Sequence, residues 1–328
     1  MKKTVLFLFA SMFLLSACSG GVAASPTTTP EPTQPPTPTQ LPTIEVTMTP
    51  EEPFEIKLSV DSMNDPYGVA VNSLGQIYVS DMGKDRVLIF DAEGNLLAKW
   101  DKKGSGEGEF KSMGFGGLAI DASDNVFVVD NENHRIQKFD KDGNFILQWG
   151  SEGTGDSQFV RAIGIAVDTE GHVYVTDDGN PYVQKFDNNG VFIMKFGGNG
   201  NGGGKFRHAT GIAVDAQGNI FVADYESKYV QKFDATGVFI TAWKMGEDIG
   251  FPGTPEGIAV DADGNVYVTD YDLGRLQVFD NDGNFLWALG GKKALENPFK
   301  RPTAISFGNG VMYIVNQSGA KVSVVEFP

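Results

Sequence analysis

From residue 66 onward, apolar residues fall in short runs of four to six, broken by Asp, Asn and Gly. The fifth such unit is the clearest. Gly257 to Val260 is one β-type run, and Asp261-Ala262-Asp263-Gly264-Asn265 is a turn sequence. Val266 to Thr269 follows, then a loop from Asp270 to Gly274. Arg275 to Phe279, a turn at Asp280 to Gly283, and Asn284 to Leu289 complete the unit. Period-2 runs with Asp-Gly and Asn-Gly chemistry between them predict antiparallel strands, four to a unit. No unit holds a helix-period stretch of useful length, which rules out helical repeats.

The units repeat. Gly68-Val69-Ala70-Val71 recurs as Gly117-Leu118-Ala119-Ile120, Gly164-Ile165-Ala166-Val167, Gly211-Ile212-Ala213-Val214 and Gly257-Ile258-Ala259-Val260, with a degraded sixth copy at Ala304-Ile305-Ser306-Phe307. The copies are 49, 47, 47, 46 and 47 residues apart. Units of four strands at this period predict an all-β, six-bladed β-propeller of four-stranded antiparallel blades. The last unit supplies strands near Thr303–Phe307, Val311–Val315 and Lys321–Phe327, one short. The orphan run Phe54 to Val60 is expected to complete that blade and close the ring, removing an exposed sheet edge.

Upstream, the pattern changes. A basic start at Met1 to Lys3 and an apolar run from Val5 to Leu15 lead to Leu15-Ser16-Ala17-Cys18. This reads as a lipoprotein signal with its lipobox, and Cys18 is the lipidation candidate. Cys18 is the only cysteine, so an internal disulfide or thiolate cluster is excluded. The apolar run is too short to span a bilayer as a mature helix. Nine of the 16 prolines lie between Pro26 and Pro53, interleaved with threonines. Residues 19–53 are therefore expected to form an extended tether reaching up to about 100 Å. The domains predicted are a signal at 1–18, a tether at 19–53 and a propeller at 54–328. The expected location is the cell envelope, outside the cytoplasm and anchored to a membrane through lipid.

Charge narrows the partners. Lys and Arg number 26 against 42 Asp and Glu, for a net charge of −16, which argues against nucleic acid as a ligand.

Phe127-Val128-Val129-Asp130-Asn131-Glu132-Asn133-His134-Arg135-Ile136-Gln137-Lys138-Phe139-Asp140 resembles the signature of the NHL repeat family, and the resemblance extends over residues 54–328. It implies a six-bladed propeller. For function it implies a spread: protein- and RNA-binding modules, peptide-amidating lyases, a streptogramin lyase and distant lactonase relatives.

If the inner strand of each blade runs from top to bottom, the near-identical Asp-Gly turns lie at the bottom and the variable loops on top, around the channel. The top rim is then expected to carry Asp65, Tyr67, Arg161, His208, Glu256 and Arg301, with Asp178, Tyr225 and Tyr271 following the second strands. Arg161 and Arg301 are candidate anion forks. Asp81, Asp130, Asp177, Asp224 and Asp270 recur in five blades, which assigns them structural duty as acceptors of backbone hydrogen bonds. The Asp261 turn lacks the downstream glutamate of a calcium loop and fits a hairpin. His134, His172 and His208 fall in different parts of the blades, which argues against a three-histidine zinc centre. A calcium or magnesium ion held by Asp65, Glu256 and backbone carbonyls stays open. The glycine-rich stretches at 104–108 and 197–204 join strands rather than opening helices, so they are loops and not phosphate cradles.

Two functions follow. The first is a monomeric binding module that holds an envelope protein, peptide or glycan on its top face. The second is a divalent-metal-assisted lyase or lactone hydrolase, with its metal in the channel and His208 as general acid or base.

Overall fold

The computed structural model describes residues 54–56, 63–291 and 299–326. The signal, lipidation site and tether expected at residues 1–53 lie outside these residues.

Six four-stranded antiparallel sheets form the blades of a propeller. Blade 1 comprises Pro66–Val71, Ile77–Asp81, Arg86–Phe90 and Leu96–Trp100. Blade 2 comprises Leu118–Ile120, Val126–Asp130, Arg135–Phe139 and Phe145–Trp149, and blade 3 Ala162–Val167, Val173–Asp177, Tyr182–Phe186 and Phe192–Gly197. Ala209–Val214, Ile220–Asp224, Tyr229–Phe233 and Phe239–Lys244 make blade 4. Pro255–Val260, Val266–Asp270, Arg275–Phe279 and Phe285–Gly290 make blade 5. Blade 6 takes three strands from the C-terminal end, Pro302–Gly308, Val311–Asn316 and Lys321–Glu326. Its outermost position is filled by Phe54–Ile56, paired antiparallel with Phe54 opposite Val324. The inner strands contact one another in a ring, blade 6 returning to blade 1. Among the described residues no helix is long and apolar enough to cross a membrane.

The core lies between blades rather than within them. One cluster joins Val69, Ile77, Val79, Leu88 and Phe90 of blade 1 to Tyr313, Val315, Val322 and Val324 of blade 6. The next joins Ala70, Tyr78, Val87 and Ile89 to Leu118, Val126, Val128 and Phe139 of blade 2. Alternate residues of one strand thus serve different neighbours, as the period-2 side-chain geometry requires. Second and third strands are sandwiched on both faces; the second strands accordingly read as near-continuous apolar runs ending in Asp, while the third strands bury Gln and Lys among their apolar residues.

At the channel, polar bonds tie blade to blade. The amides of Gly68, Gly164 and Gly257 donate to Ser80 Oγ, Thr176 Oγ1 and Thr269 Oγ1, each at 2.8 Å. Ser80 and Thr176 then donate to the next blade, at Gly116 O (2.7 Å) and Thr210 O (2.6 Å). Thr303 Oγ1 closes the circle on Tyr67 O at 2.8 Å. These contacts need glycine at the start of the inner strand. A Cβ on Gly211 would run into Glu256 O, and one on Gly117 would sit 2.6 Å from Ile163 O.

The glycine-rich connections are loops, as expected, and each is pinned. The third-strand Gln137, Gln184 and Gln231 accept from the amides of Gly108, Ser157 and Gly204, each at 2.9 Å. Their amide groups donate back to Glu109, Gln158 and Lys205 carbonyls at 2.8, 2.7 and 2.6 Å. Phe110, Phe159 and Phe206 anchor the same loops, fully buried.

Gly211→Ala is expected to destabilise the propeller by about 1–3 kcal/mol through backbone overpacking, lowering Tm by several degrees. Gly202→Ala, where an added Cβ meets nothing within 4 Å, should leave Tm unchanged. Thermal unfolding of both variants checks this.

Candidate functional site

Each blade presents its rim through one device. The carboxylate ending the second strand is buried and accepts amides of the segment that leads into the inner strand. Asp177 takes Val160 N and Arg161 N at 2.9 and 2.7 Å, and Asp224 takes Arg207 N and His208 N, both at 3.0 Å. Asp81 takes Asn64 N (2.7 Å), Asp270 takes Thr254 N (3.1 Å), and in blade 6 Asn316 substitutes, taking Lys300 N at 3.0 Å. Hydrogen bonds to a charged acceptor are the stronger kind, which makes this clamp rigid. The recurring aspartates therefore do the structural work assigned to them. The backbone is clamped, and the side chains of Asn64, Arg161, Arg207 and Lys300 stay exposed and that of His208 half-buried, while Thr254 is buried.

On that rim a connected strip runs across blades 4 to 6. His208 and Tyr225 rings lie 5.2 Å apart, Tyr225 and Tyr271 6.2 Å apart, and the Arg301 guanidinium sits 5.5 Å from the Tyr271 ring centre. His208, Tyr225 and Tyr271 are half-buried and Arg301 is exposed. Lys228 lies over the outer side of the strip, 4.7 Å from the Tyr225 ring. It donates to Thr254 Oγ1 (2.9 Å), which donates in turn to Asp272 Oδ2 (2.7 Å). The Tyr271 hydroxyl donates to Gln317 Oε1 at 2.7 Å, leaving its ring face, not its tip, to a ligand.

The two arginines differ. Arg161 pairs with Asp178, whose carboxylate also meets His208 Nε2 at 3.0 Å. The Asp178 side chain is only 3% exposed, so this triad is a braced unit rather than two free cations. Arg301 has no carboxylate partner among the described residues; its backbone is held in the left-handed region at φ 52°.

Beneath the strip, the Tyr67 hydroxyl of blade 1 donates to Glu256 Oε1 of blade 5 at 2.5 Å, a chord at the channel mouth. Both side chains are buried, and Tyr67 packs edge-on against Phe115. Burial raises the Glu256 carboxyl from 4.5 to about 7, with the Tyr67 bond and His208 working the other way. Burial and then the Glu256 charge push the Tyr67 phenol well up. Burial lowers the His208 imidazole, partly offset by Glu256.

Of the residues expected on the rim, Tyr67 and Glu256 form the chord, Arg161, His208 and Asp178 the triad, and Tyr225, Tyr271 and Arg301 the strip. Asp65 is exposed at the edge, with φ 71°. Lys228, Thr254, Asp272 and Gln317 complete the surface and were not anticipated. Gln317 directly follows a second strand, at the same offset as Tyr225 and Tyr271, and that offset was its available signal; Asp272 and Lys228 lie further along the same loops, and Thr254 directly precedes the inner strand of blade 5. His172 binds Asp168 in a bottom turn, and His134 ends a short 3-10 turn in blade 2. The Asp261 carboxylate takes Asp263 N and Asn265 N at 3.0 and 2.8 Å, a hairpin turn and not a cation loop.

A channel ion is a poor match to these residues. Among the described residues, the channel wall carries one carboxylate, that of Glu256, and Tyr67 already engages it. No set of three or more His, Asp or Glu side chains converges to ligate a metal among them.

The fold and rim place the molecule among six-bladed β-propellers. More particularly, the NHL repeat model matches three stretches of the chain, residues 116–139, 206–233 and 253–279. No curated protein matches the sequence. Solved structures of similar fold include a streptogramin B lyase, with TM-score 0.57 and 16% identity over 84% of this chain and 97% of that one. A gluconolactonase from Xanthomonas campestris has TM-score 0.59 and 17% identity, covering 82% and 88%. Regucalcin, a calcium-binding protein from Agrobacterium tumefaciens, has TM-score 0.58 and 12% identity, covering 81% and 91%. Identities this low establish a shared fold, while function belongs to the site.

The chord has a pH signature. The folded-state pKa of Glu256 lies above its unfolded value, so its contribution is fully present below about 4.5 and is lost as pH rises through about 7. Glu256→Gln keeps an acceptor for Tyr67 without the buried charge. Relative to wild type, it should be stabilised at pH 8 over pH 5 by up to about 3 kcal/mol, as read by urea unfolding at the two pH values.

Proposed function

We propose that this protein is a binding propeller, lipid-anchored outside the cytoplasm through Cys18, that holds a protein, peptide or glycan of the cell envelope on its top face. The observation that carries the reading is the strip His208–Tyr225–Tyr271–Arg301, where half-buried rings and an exposed cation meet on one clamped surface. Aromatic faces and arginine forks are the groups that dominate recognition sites. In a chain of net charge −16, an exposed arginine on the rim that makes no ion pair among the described residues suits an anionic group. The Pro/Thr-rich stretch before the propeller fits a spacer that lifts this face clear of a membrane.

A second reading is a divalent-metal-dependent lyase or lactone hydrolase acting in the channel. Its support is the likeness in fold to a streptogramin B lyase and a gluconolactonase, together with a carboxyl that titrates near neutrality beside His208. The lack of a converging ligand set among the described residues favours binding over this chemistry.

The deciding experiment captures envelope material with the full-length protein. Arg161→Ala or His208→Ala would strip partners from the buried Asp178 and disturb folding, so Tyr225→Ala and Arg301→Ala are the variants of choice. Together they should abolish capture while leaving Tm within a few degrees of wild type; unchanged capture would sink the rim as the binding surface. In parallel, labelled fatty acid fed to the producing cells should enter the wild-type chain and be absent from Cys18→Ser.

A further inference from the structure

The rim strip carries a finer statement about ligand class. We infer that it is built for a sugar acid: a uronate residue within an anionic glycan, its carboxylate on Arg301 and its ring against Tyr271 and Tyr225. The inference rests on the binding reading above and specifies its ligand.

The geometry supplies three complementary functions side by side. Arg301 is exposed, has no carboxylate partner among the described residues, and is steadied over the Tyr271 ring at 5.5 Å. Its position is fixed twice, by Lys300 N on Asn316 Oδ1 (3.0 Å) and by Gln317 N on Arg301 O (3.1 Å). A planar fork held in this way matches a carboxylate bidentately. Tyr271 spends its hydroxyl on Gln317 and so offers a ring face, with Tyr225 set edge-on to it at 6.2 Å. Such faces suit the C–H side of a pyranose as well as they suit an apolar side chain.

The acids on the same rim make the choice. Asp272 is exposed, with one carboxylate oxygen accepting from Thr254, and Asp65 is exposed on the blade 1 side. Carboxylates accept paired hydroxyl donors, which a sugar provides and a phosphate or sulfate lacks. They also repel densely charged anions, so a ligand with one negative charge per ring is preferred over a polyphosphate or a highly sulfated chain. An extended peptide finds less here. Strand addition needs free backbone donors, and the inner-strand amides of Gly68, Gly164 and Gly257 are already bound to Ser80, Thr176 and Thr269.

Calorimetry on the full-length protein in detergent micelles tests the inference with three probes: trigalacturonate, neutral trigalactose, and an acidic tyrosine-containing tripeptide. Trigalacturonate should bind, with affinity falling as salt rises, and trigalactose should bind at least tenfold more weakly. Arg301→Gln should weaken trigalacturonate at least tenfold with Tm preserved. Tyr271→Ala should do likewise, and Tyr271→Phe, which keeps the ring, should restore most of the affinity. Equal binding of both sugars, or trigalacturonate binding that Arg301→Gln leaves intact, overturns the assignment. If the tripeptide binds through Arg301 and the uronate does not, the ligand class is wrong and the rim remains the binding surface. If none of the probes binds and envelope capture is also insensitive to Tyr225→Ala and Arg301→Ala, the binding reading itself falls.

Discussion

Six inner strands can surround a channel as narrow as this one only if backbone meets backbone. At Gly164, Gly211 and Gly257 an added methyl group would strike the carbonyl of the neighbouring blade, at Thr210, Glu256 and Thr303. That contact sets the distance between blades, and the distance lets Ser80 and Thr176 bridge from their own blade to the next. It also brings adjacent sheets close enough for Val, Ile and Phe side chains to interdigitate at interior density. Further out, the aromatic residue closing an outer strand covers a turn glycine of the next blade, as Trp243 covers Gly283. The ring is thus fastened at small radius by polar bonds and at large radius by aromatic burial.

Much of the fold was legible in the sequence because every blade states the same instructions. The glycine-led inner strands and the recurring aspartates at the second-strand ends each appear five times, turns rich in Asp and Gly recur between them, and all occupy the places their repetition implied. The repeated third-strand glutamine was the overlooked instruction. Gln137, Gln184 and Gln231 look like solvated strand residues, yet each is buried and orders the loop arriving from the preceding blade.

The site was legible in outline only. Position relative to the repeat put Tyr67, His208, Glu256, Tyr225, Tyr271 and Arg301 on one face. It could not show pairing, because partners such as Tyr67 and Glu256 are 189 residues apart and meet only when the ring closes. Nor could it distinguish Arg161 from Arg301. Both precede inner strands, but Asp178 stands next to one and Tyr271 next to the other. Such differences lie in the unrepeated residues, where one blade gives no information about another.

The clamp at the second-strand ends divides labour within single residues. Asp177, Asp224 and Asp270 grip main-chain amides, which every amino acid but proline supplies, so the clamp itself places no demand on the side chain above it. The clamped positions around one opening then behave as a keypad: keys that brace no buried group can be rewritten alone, and the combination, not the frame, determines what is recognised. At such keys, unlike Arg161 and His208, new specificities can arise by point substitution without an intermediate that fails to fold, and a designer could use the same frame as a small display scaffold.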